Sequence, residues 1–247
     1  MAKVEYKITE RETKYFTNGA VSRGIVLIKD LDSDIITMKE DLEKFLEKNK
    51  ETIRNYFNEK EIDRLKKQYA GKPQKEVMEY IEDSLGMAII VPPGFVEMAK
   101  SEKGFWLKKE KTIGQHQVLQ GISIYTYPYD SDSIFTNESM ITNRDIFTLK
   151  NLQGSRDRSF MAVYREYKPT TQEINLNGLY AVEYRGLWNM KNDFMGGPFL
   201  HYTLVDEKNN RVINLDGFVF APKFNKREYL RELEAIMKTL TLKESNS

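Results

Sequence analysis

Residues 199–220 read FLHYTLVDEKNNRVINLDGFVF. Two β-prone runs, Phe199 to Val205 and Val212 to Phe220, flank the polar segment Asp206-Glu207-Lys208-Asn209-Asn210. Turn-forming residues between two apolar, aromatic runs are the mark of a hairpin. Upstream, Leu179 to Leu187 alternates: Glu183 and Arg185 fall on one strand face, Val182 and Tyr184 on the other. Downstream, Asn225 and Glu228 cap a helix in which Tyr229, Leu230, Leu233, Ile236, Met237 and Leu240 form one apolar stripe. Strands closed by a long amphipathic helix give the α+β class, an antiparallel sheet packed by amphipathic helices.

Further upstream the same logic predicts strands at Phe160 to Tyr167 and at Ile122 to Tyr127, and a helix over Asn137 to Leu149. MAIIVPPGF, from Met87, is a short apolar run broken by two prolines, and FWLKKE is its expected partner strand. Before Gly86 the period is helical. The pattern predicts one helix from Thr37, capped by Thr37 and Glu40, a second opened by Asn58 and Glu61 and stopped at Gly71 and Pro73, and a third over Gln74 to Leu85. Val4 to Ile8 and Gly24 to Ile28 lean to β-structure. The expected division is a helix-rich α/β part over 1–86 and a β-rich sandwich over 87–247.

Composition narrows the function classes. Lys and Arg number 38 against 37 Asp and Glu, which argues against a dedicated nucleic-acid binder with its basic excess. Cysteine is absent, so disulfides, thiol catalysis and thiolate metal sites are excluded from this stretch. No apolar run approaches the ~18 residues of a membrane span, so the stretch is expected to be soluble. MAKVEYKITERE is charged from its start and does not read as a signal peptide.

The blocks RGLW (185–188), DFMGGPF (193–199), DEKNNRV (206–212) and LDGFVFAPKFNKREYLRELEAI (215–236) resemble a family of Bacteroidetes-type envelope lipoproteins catalogued as domain of unknown function 4837. ISIYTYPYDSDSIFTNESMITNRD (122–145) resembles its strand-loop-helix segment, and residues 10–24 depart from its pattern. The resemblance implies an export signal and a lipid-attachment cysteine ahead of the domain, neither of which is in this sequence. It therefore implies a periplasm-facing or outer-membrane location, with membrane contact only through a lipid anchor. The order of elements in the β-rich part is similar to the PsbP-like α/β/α sandwich, an analogy of fold that does not determine function.

Candidate sites are few. Residues 185–199 gather Arg185, Trp188, Asp193, Phe194 and Met195 around Gly196-Gly197-Pro198. Trp and Arg are enriched in binding hot spots, so the block reads as an interface, or as a corner whose aromatics fold back over the sheet. Gly196 and Gly197 permit positive φ or close backbone approach. Tyr125, Tyr127 and Tyr129 alternate along one strand and read as an aromatic binding face or as core edge. His116 and His201 have no H-E-x-x-H spacing, and there is no G-x-S-x-G, Walker or G-x-G-x-x-G motif. No catalytic residue, metal site or cofactor is expected. The leading expectation is a non-enzymatic envelope module that binds another envelope protein or assembly. The alternative is a small-ligand or glycan binder using the tyrosine strand, and behind it a hydrolase built from scattered acids and His201.

Overall fold

The computed structural model describes residues 38–101 and 104–243. The expected strands at Val4 to Ile8 and Gly24 to Ile28, and the capping Thr37, lie outside the described residues. Contacts divide the chain into two compact units, one ending at Arg64 and one starting at Leu65.

Helix α1 spans Met38–Ala70 without interruption. Asn58 and Glu61 do not open a second helix there. The 38–70 stretch holds no Gly or Pro, and an interior Asn costs a helix well under 1 kcal/mol, about half a kcal/mol against Ala. The first unit's part of α1 carries ion pairs one turn apart, Glu47 with Lys50, Glu51 with Arg54, and Glu61 with Arg64. These are solvated helix pairs of small energetic weight.

In the second unit, α2 (Lys75–Leu85) buries Ile81 and Leu85. It ends on Gly86 at φ 62°, where the glycine N–H closes onto the Glu82 carbonyl, the left-handed cap that glycine adopts without a Cβ penalty. The strands follow: β1 (Met87–Ala88), β2 (Val96–Ser101), β3 (Gly104–Ile113), β4 (His116–Pro128), β5 (Phe160–Val163), β6 (Thr170–Leu176), β7 (Leu179–Lys191), β8 (Gly196–Asp206), β9 (Arg211–Phe220) and β10 (Thr241–Leu242). Helix α3 (Asn137–Asn151) lies between β4 and β5, and α4 (Arg227–Met237) follows β9. Thr136 caps α3 by accepting from the Ser139 N–H.

The main sheet is antiparallel throughout, in the order β2-β3-β4-β9-β8-β7-β5, and β6 pairs with the other half of the edge of β7 that holds β5. The Met87 run does not pair with Phe105-Trp106-Leu107. Residues 87–88 pair with β10 in a separate two-stranded sheet, and β3 lies between β2 and β4. Phe160 to Tyr167 is strand only to Val163.

Strand parity assigns the layers. Val182, Tyr184 and Trp188 of β7, Phe199 and His201 of β8, and Asp216 and Phe218 of β9 share the face covered by α3. Leu233, Glu234, Ile236 and Met237 of α4 are buried over the opposite face, where Gly217 makes room for Leu233 and Met237. Tyr80 of α2 packs there on Phe105, with ring centroids 5.3 Å apart. The sheet is thus the middle of three layers, as the α/β/α reading expects. With both faces covered, β4 is buried on both sides rather than half-buried.

Candidate functional site

The block at 185–199 spans the end of β7, a turn and the start of β8. The reversal is made by Asn192 to Met195, with Asn192 at φ 60° and the Met190 N–H donating to the Met195 carbonyl. Gly196-Gly197-Pro198 is therefore strand, not corner. Gly197 is required by close approach: a Cβ there would overlap the Val219 carbonyl oxygen. Gly196 has its own Cβ position 3.0 Å from the Trp188 carbonyl oxygen, and Pro198 is half-buried.

The side chains of the block do not form one surface. Trp188 is 2% exposed and packs edge-on against Phe218 at 5.8 Å, on the α3 face. Arg185 points to the other face, where Glu183 accepts from it at 2.6 and 3.0 Å and Glu234 of α4 lies 2.9 Å away. Desolvation works against the half-buried guanidinium, and the two carboxylates outweigh it, so Arg185 holds its proton more tightly than usual. It clasps α4 to the sheet. The tip is the most open part of the block. Phe194 is 89% exposed, its N–H held by Asp193 Oδ1 at 2.7 Å, and the Arg156 guanidinium lies 5.0 Å over its ring. Arg156 is also 3.6 Å from Asp193. Met195 is half-buried beside it.

The tyrosine strand does not form a binding face. Tyr125 is buried and stacks on Phe147 of α3, with centroids 4.3 Å apart. Desolvation first, then the nearby Asp216 charge, push its phenol well above the ordinary range. Tyr127 is half-buried and accepts from Asn143 Nδ2 at 3.1 Å. Pro128 ends the strand, and Tyr129 departs from the line.

Between α3 and the sheet lies a polar cluster centred on Asp216. Arg144 Nε and Nη2 donate to its two oxygens at 2.7 and 3.0 Å, and His201 Nδ1 donates to Oδ1 at 3.2 Å. His201 Nε2 faces Thr203 Oγ1 at 3.2 Å and Asn214 Oδ1 at 3.1 Å. Burial raises the Asp216 pKa, but Arg144 and His201 outweigh it and hold the carboxyl below its ordinary value. Asp, His and a hydroxyl in a row have the composition of a hydrolytic relay. Here Arg144, His201 and Thr203 are fully buried, so no substrate reaches the hydroxyl in this conformation. The arrangement joins α3 to the centre of the sheet.

A third feature was not visible in sequence. A cleft of about 930 Å³ opens at the end of the sheet opposite the Phe194 tip. Tyr129, Asp132, Phe135, Tyr180 and Glu207 line it, brought together by the segment after β4, the start of β7 and the β8–β9 turn. Among the described residues no group of three or more His, Cys, Asp or Glu could hold a metal, and no helix is long and apolar enough to cross a membrane.

Residues 74–239, which span α2 to the end of α4, match the family described as Domain of unknown function (DUF4837). The chain belongs to that family. The DUF4837 match covers both faces of the sheet, the Phe194 hairpin and the cleft residues from Tyr129 to Lys208. No curated protein matches the chain. Among solved structures, a mutant of the protein Mog1 is similar over 65% of this chain and 92% of its own, at 9% identity and a TM-score of 0.36. The Ran-binding protein Mog1p of Saccharomyces cerevisiae is similar over 64% of this chain and 90% of its own, at 11% identity and a TM-score of 0.37. Both likenesses are too distant to carry function to the DUF4837 chain.

Proposed function

We propose that this DUF4837 chain is a non-enzymatic binding module of a bacterial envelope lipoprotein, and that it docks another envelope protein through the tip of the β7–β8 hairpin. The observation that carries the reading is the exposure of Phe194 at 89%, on a turn whose base is fixed by buried Trp188 and by the close approach of Gly197 to Val219. A large aromatic side chain held out on a rigid hairpin meets a partner without ordering a loop first, which lowers the entropic cost of docking. Arg156 over the ring adds a residue type that is enriched in hot spots. The envelope placement rests on the resemblance of the RGLW, DFMGGPF and LDGFVFAPKF blocks to envelope lipoproteins.

The test is affinity capture of the lipidated full-length protein from native envelopes, wild type against Phe194→Ala. Both proteins fold in this account, since Phe194 contributes little to the core. A stoichiometric partner retained by wild type and lost by Phe194→Ala supports the reading. A partner held equally by both contradicts the assignment of the tip.

A further inference from the structure

The cleft at the far end of the sheet joins aromatic rings and carboxylates to the aliphatic Leu179, Val205 and Leu242. Tyr180 stands 54% exposed on one side, its ring perpendicular to Phe135 at a centroid distance of 5.3 Å. Phe135 is fixed from beneath, because the Tyr184 hydroxyl donates to its carbonyl at 2.6 Å. Tyr129, also in the lining, donates its hydroxyl to Asp132 Oδ1 at 2.8 Å, which aims the carboxylate and ring together. Asp132 and Glu207 form no ion pair among the described residues, whereas Asp206, the third acid of the lining, is neutralised by Arg211 at 2.9 Å. Lys208 is the only cationic side chain among the lining residues.

The field in the cleft is negative at both phenols. The hydrogen bond to Asp132, with the charges of Asp132 and Glu207, raises the Tyr129 pKa, and desolvation followed by Glu173 and Asp132 raises that of Tyr180. Both rings therefore stay neutral, with their electron-rich faces intact, well above neutral pH. Aromatic faces beside carboxylates that have no counter-ion are the donor set that recognises an organic cation. The volume falls in the range of small-ligand sites.

We propose that this cleft is a binding site for an organic ammonium ion, its charge set between the Tyr180 and Tyr129 rings and neutralised by Asp132 and Glu207. The ammonium group belongs either to a free amine or to a lysine side chain of a peptide; both present the same chemistry. The site is separate from the Phe194 tip and does not depend on the reading given for it.

The experiment is calorimetric and NMR titration of the full chain at low ionic strength. The probes are pentane-1,5-diamine, Nα-acetyl-lysine amide, and the neutral controls pentane-1,5-diol and glucose. The diamine or the lysine amide is expected to bind, with shifts confined to the cleft and with affinity that falls as salt is added. Tyr180→Ala and Glu207→Gln, each checked by its circular dichroism and melting curve, are expected to weaken binding by about three- to tenfold, and Tyr180→Phe to retain it. Tighter binding of the lysine amide assigns the site to peptides, and tighter binding of the diamine to free amines. Equal binding of the diol or of glucose, no binding of either amine at millimolar concentration, or affinity unchanged in both Tyr180→Ala and Glu207→Gln overturns the proposal.

Discussion

Trp188 and Phe194 belong to one hairpin and lie on opposite sides of the solvent boundary, at 2% and 89% exposure. The residue that resembles a hot spot in sequence is a core residue, and the less conspicuous phenylalanine is the one available to a partner. Replacing the two therefore has different consequences. Trp188→Ala is expected to cost about 3–5 kcal/mol of stability, the range for removing a buried aromatic. Phe194→Ala should stay within about 0.5 kcal/mol of wild type, as exposed substitutions do. Urea unfolding of the two single variants checks both figures, and any binding comparison should use Phe194→Ala alone.

Asp216 anchors α3 to the sheet through Arg144. Asp216→Asn leaves the guanidinium buried without its counter-charge, and the expected loss is about 3–5 kcal/mol. The pH dependence has a definite sign. The folded carboxyl titrates below its unfolded value of about 3.9, so its contribution is complete above that pH and is lost as pH falls through the folded value. Glu234, where burial is outweighed by Arg185 and Lys238, behaves the same way. Stability of the wild type should be flat from neutral pH to about 5 and fall below about 4, with a shallower fall in Asp216→Asn. Denaturant melts across that pH range measure it.

Gly197 faces the Val219 carbonyl with no room for a methyl group. Backbone cannot rotate away as a side chain can, so Gly197→Ala must open the β8–β9 pairing locally. A loss of at least about 1–3 kcal/mol is expected, with accelerated amide exchange at the start of β8. Gly178→Ala in the β6–β7 turn meets no atom within 4 Å, but its φ of 92° makes it strained for a different reason, and it should leave exchange in β8 unchanged.

Tyr184→Phe removes the hydroxyl that holds the Phe135 carbonyl. The expected cost is about 1 kcal/mol, since the carbonyl loses its partner. Because Phe135 supports the Tyr180 ring, the chemical shifts of the cleft should respond while those of the Phe194 tip do not. A two-dimensional NMR comparison distinguishes the two.

Much of this fold could be read from residue order. β7 was legible because Leu179 to Leu187 alternates, and β8 and β9 because two apolar runs flank a polar turn; the placing of Arg185 and Glu183 on one face follows from parity alone. The same parity carries Trp188 onto the face of Val182 and Tyr184, so its burial was readable once β7 was extended to Lys191. The edges were not legible. β6 reads TTQEINL and is exposed along most of its length, so no apolar face marks it, and β2 is interrupted by a register shift between Glu97 and Ala99. β10 has two residues, too few to carry a period. Arg144 was hidden among the charges of α3, since nothing in a helical repeat says which charge faces the sheet. The cleft was out of reach for another reason: Tyr129, Phe135, Tyr180 and Glu207 come from segments far apart in the chain, joined only by strand register.

The central claim is that the Phe194 tip is an interface. The most direct measurement places a photo-crosslinking amino acid at position 194 of the full-length protein in living cells, with a matched variant at exposed Gln172 on β6 as reference. The account predicts one discrete adduct from position 194 that is absent from position 172. The same adducts from both positions, or none from position 194 with the protein expressed and folded, would contradict it.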